Sequence, residues 1–181
     1  MDAASVESFL ELLRFQSIST QPENRGDVEA CARWVLDRFV KMGLKAELWP
    51  TAGHPLVVAR NGHRPDRRTV LIYGHYDVQP ALIEDGWEHD PFQLREQDGR
   101  LSGRGAIDNK GQLLVHIYNV FELIKAGKLL YNIKFLIEGN EETGSARLHS
   151  IIKDNKAHLN SDLILISDGT LSSSNPVIEI S

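Results

Sequence analysis

The chain has 181 residues, 41% of them apolar and 25% charged, with 20 Lys and Arg against 25 Asp and Glu for a formal net charge of −5. That length suits one domain, or one domain with part of another, and the balance excludes a disordered or fibrous chain. The acidic balance offers no footprint for nucleic acid, the single Cys31 excludes a disulfide framework and a Cys-rich zinc site, and no apolar run nears the roughly 20 residues that span a bilayer. The opening MDAASVESFL carries acids where a secretory signal has a positive stretch, so a reducing cytoplasm is the expected compartment.

Ser5 to Ser17 carries Val6, Phe9, Leu10, Leu12, Leu13 and Phe15 at helical spacing. A second helix is expected to open at Gly26-Asp27, with Val28, Cys31, Trp34, Val35, Phe39 and Met42 at steps of three or four. Gly43 is placed to end it in a left-handed conformation. Leu44 to Trp49 and Pro55 to Arg60 read as short strands, and TVLIY (69–73) as a strand covered on both faces. Pro80, Gly86, Pro91, Gly99 and Gly103 punctuate a long loop over 80–104. Phe92 to Leu94 and Arg100 to Leu101 are its expected hairpin arms, and Trp87 with Phe92 packs it down. Periodicity returns at Leu113, Leu114, Ile117, Tyr118, Phe121 and Ile124, a helix closed by Gly127. NIKFLIE (132–138) is a strand, Ser145 to Asn155 a helix, DLILIS (162–167) another buried strand, and Pro176 to Ile180 begins one more. Strands alternating with helices predict an α/β fold, a mostly parallel sheet sandwiched by helices. No repeat or linker divides residues 1–181. The strand pattern PVIEIS runs to residue 181 with no turn or polar tail, so a piece of a longer protein is expected.

The polar residues fall at the ends of the apolar strands. TVLIY is followed by Gly74-His75-Tyr76-Asp77, NIKFLIE by Gly139-Asn140-Glu141-Glu142, and DLILIS by Asp168-Gly169, while Asp108 precedes the helix that starts near Lys110. In an open α/β sheet the carboxyl ends of the strands face one crevice, where ligands bind. The acids gathered there repel one another unless something positive sits among them, and a metal ion is the simplest remedy. One imidazole with several carboxylates suits zinc or manganese, and a carboxylate shared by two ions accounts for so many acids. Asp77, two residues after His75 in an extended segment, points to the same side and is placed to accept the second ring N–H. Adjacent side chains diverge in an extended turn, so one of Glu141 and Glu142 is expected to ligate while the other acts as general base.

Each of these residues alone has an ordinary explanation: a loop histidine, an Asp-Gly turn at 168, a helix N-terminus at Glu141-Glu142, an N-cap at Asp108. Their convergence is the signal. No G-x-S-x-G, H-E-x-x-H or phosphate-loop pattern is present. Cys31 sits on an apolar helix face and reads as core. His54, His63, His89, His116, His149 and His158 have no partner spacing and read as surface or helix residues.

YGHYDVQP (73–80), GWEHDPF (86–92), GRGAIDNKG (103–111), EGNEETGS (138–145) and ISDG (166–169) resemble, in order, the co-catalytic zinc metallopeptidases of the carboxypeptidase G, aminoacylase and succinyl-diaminopimelate desuccinylase type. Their wording is most similar to the cytosolic nonspecific dipeptidase and carnosine dipeptidase branch. The resemblance implies a zinc-exopeptidase-like fold, two divalent metal ions (Zn2+, or Mn2+), and hydrolysis of dipeptides or N-acyl amino acids. It implies that His75 and Asp168 hold the first metal, that Asp77 orients His75, that Asp108 bridges both metals, that Glu142 binds the second, and that Glu141 is the general base. It implies a cis peptide bond, with strain, between Asp108 and Asn109. Asn109 stands where the family usually has Asp, and Ile107 where it has a small or polar residue. Family members continue through a lid or dimerisation domain to a late histidine, so the chain resembles the N-terminal part of a catalytic domain whose full-length form is a homodimer, and by itself it is expected to be inactive. Neither a nucleic-acid nor a membrane partner is expected. A non-catalytic metal-binding or interaction module remains the competing class.

Overall fold

A computed structural model describes residues 3–98 and 100–169. The first helix, α1 (Ala3–Arg14), buries Leu12 and Leu13. A 3-10 turn at Pro22–Asn24 leads straight into α2 (Arg25–Lys41), so the helix begins ahead of the expected Gly26-Asp27. Val28, Cys31, Ala32, Val35 and Phe39 form its buried stripe, and Gly43 follows with φ of 80°. Strand β1 (Lys45–Trp49) pairs antiparallel with β2 (Leu56–Arg60), because the intervening 50–55 is shorter than the dozen or so residues a parallel crossover needs.

The next strand, β3 (Thr69–His75), runs two residues further than its apolar core and carries His75 itself. The long loop holds a small hairpin, β4 (Arg95–Gln97) with β5 (Arg100–Ser102); the second arm falls where expected, and the first lies nearer the turn than Phe92 to Leu94. Trp87 and Phe92 pack with Ile18, Val78 and Ala81, as expected. Helix α3 (Lys110–Lys125) crosses back to β6 (Asn132–Glu138), which pairs parallel with β3 from Thr69↔Asn132 to His75↔Glu138. A 3-10 turn at Glu141–Thr143 and two short helices, α4 (Leu148–Asp154) and α5 (Lys156–Leu159), lead to β7 (Leu163–Ile166), parallel to β3 on its other side.

The sheet order is β1-β2-β6-β3-β7. It is a mixed sheet: β6, β3 and β7 form its parallel part, and the β1–β2 hairpin is an antiparallel edge on β6. One face lies under α1, α2 and α3, where Phe39, Ile117, Ile72, Phe135 and Ile137 share one core. Phe39 and Phe135 stack with ring centroids 4.6 Å apart. The other face is covered by α4 and α5, with Ile151 and Leu159 over Leu56, Val58, Leu71 and Leu136.

One expectation fails here. DLILIS reads as a buried strand, yet Leu163 to Ile166 are 40% to 59% exposed. Among the described residues β7 is an edge strand paired only with β3, and neither helical layer reaches over it. The expected strand at Pro176 to Ile180 lies outside the described residues. Among those residues no helix is long and apolar enough to cross a membrane.

Candidate metal centre

Parallel pairing of β6, β3 and β7 brings three carboxyl ends to one edge of the sheet, and the residues that follow them meet there. His75 is fully buried, its Nε2 lying 3.1 Å from Asp108 Oδ1 and 3.5 Å from Asp168 Oδ2. His75, Asp108 and Asp168 each offer a ligand atom within 4.8 Å of the other two, and so do His75, Glu141 and Glu142. Ligands about 2.0–2.2 Å from a tetrahedral zinc ion stand roughly 3.3–3.6 Å from one another, so the two spacings of 3.1 and 3.5 Å from His75 Nε2 are close to those of such an ion. One imidazole nitrogen with carboxylate oxygens is also a donor set that zinc or manganese accepts. Glu142 meets His75 and Glu141, while Asp108 meets His75 and Asp168.

The other nitrogen of His75 is held from within the chain. Nδ1 is 3.0 Å from the backbone carbonyl of Asp77 and 3.4 Å from its carboxylate Oδ1. The carbonyl is therefore the closer acceptor, because the carboxylate has other partners. Ser19 Oγ donates to Asp77 Oδ2 at 2.6 Å, and the backbone N–H groups of Glu141 and Glu142 donate to Oδ1 and Oδ2 at 3.3 and 3.1 Å. Those N–H groups open a 3-10 turn and have no partner within it. Asp77 thus ties the end of β3 to the turn after β6. This turn replaces the extended segment expected at 141–142, which is why both glutamates reach toward His75 instead of diverging.

Charge follows the geometry. Burial works against the charged form of His75, yet the hydrogen bond and charge of Asp77 and the charge of Asp168 outweigh it and hold the imidazole up at about 9. Glu141 and Glu142 are both pushed up, first by burial and then by neighbouring carboxylates, against the pull of His75. Gln79 donates to Glu142 Oε2 at 2.8 Å. Lys110 is fully buried, its Nζ donating to the Phe15 carbonyl at 2.8 Å; burial lowers its pKa, and Cys31 and Asp77 oppose that. Behind the site, buried Glu138 accepts from Tyr73 and from Ser145 and is pushed up by burial.

Every site residue expected from the sequence lies in this cluster. The peptide bond between Asp108 and Asn109 is cis, and Ile107 is 78% exposed. Ser19, Gln79, Lys110 and Glu138 were not singled out, because their roles come from residues 7 to 95 positions away along the chain. His116 lies on α3, as a helix residue, and is partly buried: its Nε2 is 2.7 Å from Ser167 Oγ, and burial lowers its pKa. His54 Nδ1 and both ring nitrogens of His89 are buried too.

The model of peptidase family M20/M25/M40 matches residues 71–180. The chain is 46% identical over 118 residues to the Beta-Ala-His dipeptidase of Mus musculus, covering 63% of this chain and 24% of that protein. It is 38% identical over 170 residues to the Cys-Gly metallodipeptidase dug1 of Schizosaccharomyces pombe, covering 84% and 35%. The crystal structure of human carnosine dipeptidase 1 superposes with a TM-score of 0.85 at 35% identity, over 93% of this chain and 39% of that one. An M20 family metallo-carboxypeptidase from Sulfolobus solfataricus gives 0.83 at 34% identity, over 92% and 37%. The chain thus spans about a quarter to two fifths of these relatives' own lengths.

Proposed function

The chain belongs to peptidase family M20/M25/M40, and on that premise we propose that it carries the metal-binding half-site of a dipeptidase-type amide hydrolase. The observation that carries this reading is His75 Nε2 set 3.1 and 3.5 Å from carboxylates of two other segments, Asp108 and Asp168. In this reading His75, Asp108 and Asp168 would hold one divalent ion and Glu142, with Asp108, would serve a second; Zn2+ and Mn2+ both suit the donors. A bound ion of this kind supplies Lewis acidity, polarising a peptide carbonyl and acidifying water.

The chain's own residues do the rest. Glu141 takes a proton from the attacking water at its carboxylate and returns it to the leaving amine. Burial pushes its pKa up, the direction that favours taking up a proton. Asp77 holds the His75 ring through Nδ1 and fixes the 3-10 turn that bears Glu141. The substrate class is a dipeptide or short peptide, supported by relatives named for Beta-Ala-His and Cys-Gly hydrolysis. The 181 residues alone are expected to be inactive or nearly so, since most of the relatives' length has no counterpart in them.

Titrating the 181-residue chain with Zn2+ and with Mn2+ tests the reading. His75→Ala and Asp168→Ala are expected to lose tight binding, and unchanged affinity in both variants refutes it. In a form extended to the relatives' length, Glu141→Gln is expected to abolish dipeptide turnover while metal content stays. No turnover even with Glu141 intact would favour a non-catalytic module.

A further inference from the structure

Asn140 and Thr143, which bracket Glu141 and Glu142, line a cavity of about 230 Å3. That is room for roughly eight waters at about 30 Å3 each, and it falls below the range of about 300–1,000 Å3 of pockets for drug-sized ligands. A molecule the size of a single amino acid suits such a space. Leu56, Leu148 and Ile151 give it an apolar wall. Most of its polar lining is already committed. Thr51 Oγ1 donates to the His54 carbonyl at 2.6 Å, Thr143 Oγ1 to the Asn140 carbonyl at 2.9 Å, and Ser145 Oγ to Glu138 Oε1 at 2.8 Å. The Asn140 amide is engaged at both ends, Oδ1 accepting from the His54 N–H and Nδ2 donating to the His54 carbonyl.

Two charged groups of the lining are left over. Glu138 is 1% exposed, and its Oε1 takes both of its side-chain hydrogen bonds, from Tyr73 and Ser145, so Oε2 has no hydrogen-bond partner among the described residues. A buried carboxylate oxygen without a donor is costly, and a cation brought to it offsets that cost. Arg147 is exposed, and its guanidinium joins no ion pair among the described residues. Its planar fork matches a carboxylate. From this accounting we infer that the cavity is a binding site for a free α-amino acid: the ammonium meets Glu138 Oε2, the carboxylate meets Arg147, and an apolar side chain lies on Leu56, Leu148 and Ile151. Binding here does not depend on the metal-binding reading. Its consequence rests on the proposed hydrolysis: cleavage of a dipeptide releases ligands of this class, and one seated here touches the residues on either side of Glu141 and Glu142. Feedback on turnover is therefore expected in a form extended to the relatives' length.

The test uses the 181-residue chain kept metal-free with a chelator. Calorimetry compares L-leucine with N-acetyl-L-leucine, which has no ammonium, and with L-leucinamide, which has no carboxylate. L-leucine is expected to bind roughly 10- to 100-fold more tightly than either analogue, the worth of one charge-assisted hydrogen bond. Glu138→Gln is expected to erase the preference over N-acetyl-L-leucine, and Arg147→Gln the preference over L-leucinamide. His75→Ala leaves the cavity intact and is expected to bind L-leucine as the parent does. Equal affinities for the three ligands, no L-leucine binding up to about 10 mM, or L-leucine binding lost in His75→Ala each overturn the inference. Zn2+ titration of the parent and His75→Ala reports on the metal centre separately, so either reading can fall while the other stands. Should Glu138→Gln not fold, Ile151→Trp fills the cavity with both charged groups in place. Unchanged L-leucine binding in that variant overturns the inference equally.

Discussion

Replacing Asp77 by alanine should cost more than any other single change at this sheet edge. The side chain is fully buried and serves four partners: the Ser19 hydroxyl at 2.6 Å, the Glu142 and Glu141 amides at 3.1 and 3.3 Å, and His75 Nδ1 at 3.4 Å. A buried donor stranded without its acceptor costs about 1–3 kcal/mol. Glu141 and Glu142 are only half-buried and regain some water, so their amides belong at the low end. Removing one member of a buried charged pair costs roughly 3–5 kcal/mol, and the two routes agree on about 4 kcal/mol in total. Against an expected stability of roughly 5–15 kcal/mol that is a large share, equivalent to a melting temperature about 8–16 °C lower for a chain of this size. Urea unfolding followed by fluorescence of Trp34, Trp49 and Trp87 and by circular dichroism measures it. Asp77→Asn keeps one acceptor but turns an NH2 toward the Glu142 amide, so an intermediate loss is expected. A loss below about 0.5 kcal/mol for Asp77→Ala, the range of an ordinary surface change, would refute the view that this carboxylate organises the site.

The metal-free chain should lose stability as pH rises from about 6.5 to about 9. His75 is raised in the folded state, so its contribution is complete below the unfolded value and vanishes above the folded one, with a ceiling of about 3 kcal/mol. Flat stability across that window contradicts the assignment. Over the same window Zn2+ affinity should rise with pH, because the ion displaces the imidazole proton; calorimetry in buffers of different ionisation enthalpy counts the protons released. Phe135→Ala empties the centre of the core against Phe39 and should cost about 3–5 kcal/mol in chemical denaturation. Ile164→Thr on exposed β7 should cost under about 0.5 kcal/mol, and a loss near that of Phe135→Ala would mean the strand is covered. Gly139→Ala places a Cβ 2.3 Å from the Tyr76 ring and hydroxyl, and should destabilise by about 1–3 kcal/mol or more in the same assay.

What the sequence by itself determined is whatever rests on local periodicity and strand punctuation. The run NIKFLIE matches β6 residue for residue, because a strand buried on both faces shows as an unbroken apolar run. The convergence of His75, Asp108, Glu141, Glu142 and Asp168 was legible too, since parallel strands bring the residues after them to one edge whatever the details. Only the tertiary structure decided how those residues are held. The sequence could not show that Glu141 and Glu142 sit on a 3-10 turn capped by Asp77, because the cap lies 64 positions away. Nor could it show that Asn109 forgoes its helix to join two strands, or that His116 meets Ser167. The apolar run at Leu163 to Ile166 marks the limit from the other side. Apolarity says that a strand is fit to be covered, and the sheet order decides whether the described chain covers it. Burial and hydrogen-bond partners are properties of packed neighbours, and a sequence pattern reports the demand for such neighbours without naming them.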